Sequence, residues 1–99
     1  MKLIVVMPCY NEELVIKKTA NVISNILEHI KADGKIAEYE IVFVDDGSSD
    51  KTWKFIEELS SKTIRGLKLS RNVGHQNALW AGYEYAHDKC DMVISIDAD

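Results

Sequence analysis

The stretch Ile41-Val42-Phe43-Val44-Asp45-Asp46-Gly47-Ser48 (residues 41–48) decides how this chain folds. Four apolar residues, three of them β-branched, run without a polar interruption and then stop on two carboxylates and a Gly-Ser turn. Unbroken rather than alternating hydrophobicity marks a strand buried on both faces, which is the situation of a parallel sheet covered by helices on each side.

Outward from this segment, three further runs have the same character: Leu3 to Met7, Leu67 to Leu69 and Met92 to Ile96. The intervening segments carry helical period. The first helix is predicted from Glu13 to Ala32, with Ile16, Ala20, Ile23, Ile26, Leu27 and Ile30 on one face and Gly34 as the stop signal. A second is predicted to begin near Ser49 as N-cap and to present Trp53, Ile56 and Leu59; a third begins near Gly74 and presents Ala78, Leu79, Gly82, Tyr83 and Ala86. The order is βαβαβαβ. Because parallel crossovers are right-handed, the predicted fold is α/β: a three-layer, open parallel sheet of the Rossmann-like, nucleotide-binding type.

Composition narrows the class. At 99 residues, with 46% hydrophobic and 28% charged content, the chain fits one small core. A net charge of -4 and the absence of a Lys/Arg run argue against nucleic-acid binding, which needs a basic footprint. Cys9 and Cys90 fit neither a metal-ligand spacing nor a disulfide framework, so they read as small buried hydrophobes in a reduced, cytoplasmic protein. The apolar start, Leu3 to Met7, is too short for a secretory signal and is followed closely by Glu12 and Glu13. No stretch approaches the roughly 20 apolar residues of a membrane span.

Every predicted strand ends in a polar cluster: Pro8-Cys9-Tyr10-Asn11-Glu12, Asp45-Asp46-Gly47-Ser48, Ser70-Arg71-Asn72 and Asp97-Ala98-Asp99. In an open parallel sheet these clusters share the carboxyl edge, where ligands bind. Asp97 and Asp99 are two apart, so in extended backbone both carboxylates face one point. Oxygen donors of this kind suit Mg²⁺ or Mn²⁺, which bind one or two carboxylates together with substrate phosphates. Of the adjacent Asp45 and Asp46, one can cap the turn and the other can accept hydrogen bonds from a nucleobase edge or ribose. Tyr10 is a candidate for stacking on a base, or an ordinary half-buried tyrosine. Glu12 favours a helix N-terminus. Arg71 can meet a diphosphate or pair with a neighbouring acid. His75 and Gln76 open the third helix, where a histidine is more often a surface or capping residue than a catalyst.

With these residues in place, the chain resembles the first half of a family-two, GT-A-fold glycosyltransferase. Pro8-Cys9-Tyr10-Asn11-Glu12 is similar to the family's opening motif, Val44-Asp45-Asp46-Gly47-Ser48 to its nucleoside-binding turn, and Asp97-Ala98-Asp99 to its metal-binding Asp-x-Asp. The stretch Leu69 to Leu79 is similar to the polyprenyl-phosphate branch, the dolichol-phosphate mannose synthase-like and undecaprenyl-phosphate sugar transferases. The resemblance implies a nucleotide-sugar site of Pro8, Tyr10, Glu12, Val44 and Asp46, with Asp97, Ala98 and Asp99 at the metal and diphosphate, and Asp45 and Arg71 as further candidates. It implies inverting transfer of a sugar from a UDP- or GDP-sugar to an acceptor, a polyprenyl phosphate in this branch or a saccharide of the cell envelope in others. It also implies that residues 1–99 are the N-terminal part of a longer enzyme, ending on the metal motif, with catalytic residues downstream of Asp99. By itself that part would be inactive, with an unpaired fourth strand open to dimerisation.

Other classes fit less well. A response-regulator receiver places its acids after the first and third strands, and a haloacid-dehalogenase-like phosphatase places Asp-x-Asp after the first. A dinucleotide-binding oxidoreductase needs a glycine-rich turn where this chain has Pro8-Cys9-Tyr10-Asn11. A non-catalytic nucleotide-binding module is the remaining alternative.

Overall fold

A computed structural model describes residues 1–97. The elements run β1 (Lys2–Cys9), α1 (Ile16–Ala32), β2 (Glu38–Asp45), α2 (Thr52–Leu59), β3 (Ile64–Lys68), α3 (His75–Ala86) and β4 (Met92–Ser95). All strand pairs are parallel, in the order β3-β2-β1-β4. The α/β alternation predicted from the sequence is therefore the observed one.

Alternation along the central strands divides the core in two. Leu3, Val5, Met7 and Cys9 of β1, with Tyr39, Ile41 and Phe43 of β2, face one side and pack with Ile16, Ala20 and Leu27 of α1 and Ile56 of α2. Ile4, Val6, Val42 and Val44 face the other side and pack with Ala78 and Ala86 of α3. A strand buried on both faces has no polar side, which is why its sequence shows no alternation. On α3, a Cβ at Gly82 would lie 2.3 Å from Val6 Cγ1 and 3.2 Å from Val44 Cγ2, so the bare glycine lets the helix backbone settle onto β1 and β2.

Several predicted boundaries shift. The first helix starts at Ile16 rather than Glu13, because a turn intervenes in which the Glu12 carbonyl accepts the Val15 and Ile16 N–H groups. Ile26, predicted on the buried face, is half exposed, as are Val15 and Val22. The second helix starts at Thr52, not near Ser49. Lys51 stands at the boundary, and the Asp50 Oδ1 just before it accepts the Thr52 N–H at 2.9 Å. β3 begins three residues earlier than its apolar run, because Ile64 already pairs with Ile41.

Pro8 sits inside β1 without breaking the sheet. The carbonyls of Lys2 and Val6 bond toward β4, whereas that of Cys9 bonds toward β2, so even-numbered residues of β1 face β4. Among the described residues Val6, paired with Ser95, is the last residue of β1 in register with β4, and the missing N–H of Pro8 lies beyond it. Among the described residues β4 has a partner on one side only, and Met92, Val93 and Ile94 are exposed.

Candidate functional site

Parallel strands deliver the four polar clusters to one edge. Between β1, β2 and the start of α3 lies an open cleft of about 330 Å³, walled by Pro8, Cys9, Tyr10, Glu12, Asp46, Asn72, Gly74 and His75. This is the lower end of the range occupied by small-molecule sites.

The walls are fixed by the loops themselves. Asn11, with φ of 52°, donates its N–H to Ser48 Oγ at 2.8 Å, and its Oδ1 accepts the Ser49 N–H at 2.9 Å. The Glu12 N–H donates to Thr52 Oγ1 at 2.8 Å, and the Glu13 N–H to Asp50 Oδ2 at 3.3 Å. The turn after β1 is thus stapled to the turn after β2.

Asp46 holds the opposite wall. Its Oδ1 accepts the Val73 N–H at 2.8 Å; its Oδ2 accepts the Gly74 N–H and Asn72 Nδ2, each at 3.2 Å. A carboxylate oxygen has room for two donors, so Oδ2 is filled and Oδ1 keeps capacity for one more. Gly74 follows with φ 94° and ψ 153°, a conformation open essentially to glycine alone, and the helix begins on the next residue. Asp46 is therefore first a clamp that shapes the entrance to α3.

Asp45 is differently employed. It is fully buried, its Oδ1 accepts the Ser48 N–H at 3.3 Å, and its Oδ2 has no hydrogen-bond partner among the described residues. Asp45 and Glu12 both press on the thiol of Cys9, whose pKa is raised first by burial and then by these charges, so Cys9 remains a thiol that donates to the Met7 carbonyl. Val44 is likewise fully buried, in the core beneath α3, and its register partner is Pro8. Arg71 is exposed on the loop after β3, outside the cleft lining.

Asp97 follows β4. Its Oδ1 lies 3.2 Å from His75 Nε2, with both side chains more than half exposed, 66% and 53%. Asp97 and Glu12 also border a second, more apolar groove between α1 and the end of β4, with Val15, Val22 and Ile96. Ala98 and Asp99 lie outside the described residues. Among the described residues, no three His, Cys, Asp or Glu side chains converge to hold a metal. The exposed Asp97 carboxylate is a hard oxygen donor of the kind a divalent cation accepts.

Sequence reasoning set His75 aside as a surface or capping residue and did not single out Asn72 or Gly74. The signal available was positional: Asn72 and Gly74 belong to the loop that enters α3 at the carboxyl edge, and His75 is the first residue of that helix. What the sequence does not show is that α3 crosses in front of β1 to reach Asp97.

A parallel α/β sheet with an acid-lined cleft at its carboxyl edge places the cleft where open sheets of this class bind their ligands. Residues 4–99 match the model for glycosyl transferase family 2, and the chain belongs to that family. It is 47% identical over 100 residues to the uncharacterized glycosyltransferase YkoT of Bacillus subtilis (strain 168), covering 98% of this chain and 30% of that protein. It is 37% identical over 98 residues to an undecaprenyl-phosphate 4-deoxy-4-formamido-L-arabinose transferase of Shewanella sediminis, covering 96% of this chain and 28% of the relative. Among solved structures, S. aureus TarS superposes over the whole chain with a TM-score of 0.73 at 27% identity, covering 17% of TarS. The 1-349 portion of TarS in complex with UDP gives 0.69 at 28% identity, with 28% of that chain covered. The chain thus spans less than a third of the length of these curated relatives. No described helix is long and apolar enough to cross a membrane.

Proposed function

We propose that this chain forms the nucleotide-sugar-binding part of an inverting glycosyltransferase of hexosyltransferase type, taking a UDP- or GDP-sugar as donor and a polyprenyl phosphate as acceptor. The observation that carries the reading is the acid-lined cleft at the carboxyl edge of a chain that belongs to glycosyl transferase family 2. The printed names of relatives that act on undecaprenyl phosphate favour the lipid acceptor, and the UDP complex of TarS favours a nucleotide in the cleft.

In this reading Pro8, Tyr10, Glu12 and Asp46 receive the nucleoside, with Val44 acting through the strand beneath them. Asp97, Ala98 and Asp99 meet the diphosphate. Asp97 and Asp99 would hold Mg²⁺ or Mn²⁺, which would supply positive charge against the departing diphosphate. An acceptor phosphate oxygen attacks the anomeric carbon from the face opposite the diphosphate. The bond from that carbon to the diphosphate oxygen breaks, and its electron pair leaves with the nucleoside diphosphate. The attacking oxygen is already anionic, so no strong general base is required. The reaction takes place at the cytoplasmic side, where sugar nucleotides are available.

Calorimetric titration of the full-length protein with UDP and GDP, with and without Mn²⁺, tests the reading against a variant carrying both D97A and D99A. Metal-dependent nucleotide binding that disappears in the double variant is expected. Binding indifferent to metal and to both substitutions, or no binding of either nucleotide, would overturn it.

A further inference from the structure

We propose that His75 is a positioning residue that holds the carboxylate of Asp97 in the orientation a divalent cation requires. This rests on the reading of Asp97 as a metal ligand given above. Asp97 lies just past β4, more than half exposed, and His75 Nε2 at 3.2 Å is the one contact recorded for its carboxylate among the described residues. An acid so placed is free to rotate about its side-chain bonds, and fixing it costs conformational entropy at the moment a ligand arrives. A neighbouring group that narrows those rotations beforehand removes part of that cost.

The placement of His75 is itself built. Asp46, at the end of β2, binds the N–H groups of Val73 and Gly74 and so fixes the turn into α3. Gly74 makes that turn with φ 94°, and His75 is the first helical residue after it. Gly82 seats the same helix on β1 and β2, which sets how far its N-terminal end reaches toward β4. The order β3-β2-β1-β4 puts β1 between the two acids, and residues 73–75 at the N-terminal end of α3 bridge them, Val73 and Gly74 on Asp46 and His75 on Asp97.

Three roles for His75 give different results. Mn²⁺ binding to the full-length protein is measured by electron paramagnetic resonance and calorimetry, alone and with whichever of UDP and GDP binds more tightly. Positioning predicts that H75A weakens Mn²⁺ binding about 10-fold, the scale typical of groups that orient metal ligands. H75Q, whose amide nitrogen reaches the same place, should stay within about threefold of wild type, and nucleotide affinity without metal should be unchanged in both variants. An electron spin-echo signal from a directly bound imidazole nitrogen would make His75 a ligand and overturn the proposal. Equal loss of nucleotide binding with and without metal would make it a phosphate contact, with the same consequence. Unaltered Mn²⁺ binding in H75A would overturn it as well. If D97A abolishes Mn²⁺ binding while H75A does not, only the role of His75 fails; if D97A has no effect, the metal reading fails and takes this proposal with it. Matching thermal midpoints for wild type, H75A and H75Q show that the comparison is between folded proteins.

Discussion

The hydroxyl of Thr52, the first residue of α2, accepts the backbone N–H of Glu12 at 2.8 Å while donating to Asp50, and it is fully buried. One side chain thereby joins the turn after β1 to the start of the helix after β2. T52V keeps the shape but leaves the Glu12 N–H without its acceptor and removes one of two donors from Asp50 Oδ1, which still accepts the backbone N–H of residue 52. A loss of about 1–3 kcal/mol is expected, the cost of an unmet buried donor, and T52S should recover most of it. Urea midpoints at constant m-value measure both; a T52V midpoint equal to wild type would remove Thr52 from the scaffold.

Asp46 is predicted to matter before any ligand arrives. D46A strips acceptors from the Val73 and Gly74 N–H groups and from Asn72 at once. The ligand-free protein should lose roughly 2–4 kcal/mol. A residue serving only as a ligand contact would show no such loss, so denaturation without nucleotide separates the two roles.

Gly47 has φ of 71°, and a Cβ there would lie 2.3 Å from the Asn72 backbone nitrogen and 2.4 Å from the Arg71 carbonyl carbon. Both neighbours are backbone and cannot swing aside. G47A should cost roughly 2–4 kcal/mol, combining left-handed strain with overpacking. Calorimetric melting gives the value, and a change below about 0.5 kcal/mol would show that the turn relaxes freely.

The carboxyl of Asp50 carries the acid sensitivity of the two stapled turns. Desolvation raises its pKa, but hydrogen bonds from the Thr52 hydroxyl and N–H and the Glu13 N–H outweigh this and hold it below the ordinary value. A depressed folded-state pKa contributes stability above the unfolded value, about 3.9, which is lost as pH falls through the folded one. Stability of the wild type should therefore drop below about pH 4 more steeply than that of D50N. Parallel curves in urea titrations at pH 7 and pH 3 would count against this role.

An added methyl on α3 tests how closely the helix sits on the sheet. G82A places its Cβ against Val6 and Val44, and a loss of about 1–3 kcal/mol is expected from overpacking. The same displacement should move His75 away from Asp97, so weakened Mn²⁺ binding accompanies the lost stability. Preserved Mn²⁺ affinity in a destabilised G82A would show that the two ends of α3 are uncoupled.

The sequence by itself determined the layered architecture and the edge that carries the site. Continuous apolar runs such as Ile41 to Val44 are stable only between two helical layers, and each one stops on polar residues that a parallel sheet must gather on a single side. These are local properties of pattern and period, legible without coordinates. Boundaries were less legible where side chains act as caps. α2 starts at Thr52 rather than near Ser49, because it is the Asp50 carboxylate that reaches the Thr52 N–H.

Tertiary structure alone decided what the acids do. Asp45 and Asp46 are adjacent and alike in sequence, yet one is sealed under the turn and the other clamps residues 72–74. Which of two neighbouring side chains points where follows from strand register and from the approach of a loop 26 residues further on. The meeting of His75 with Asp97 has the same origin: it depends on strand order and on the seat of α3 over β1, long-range relationships that no local pattern encodes.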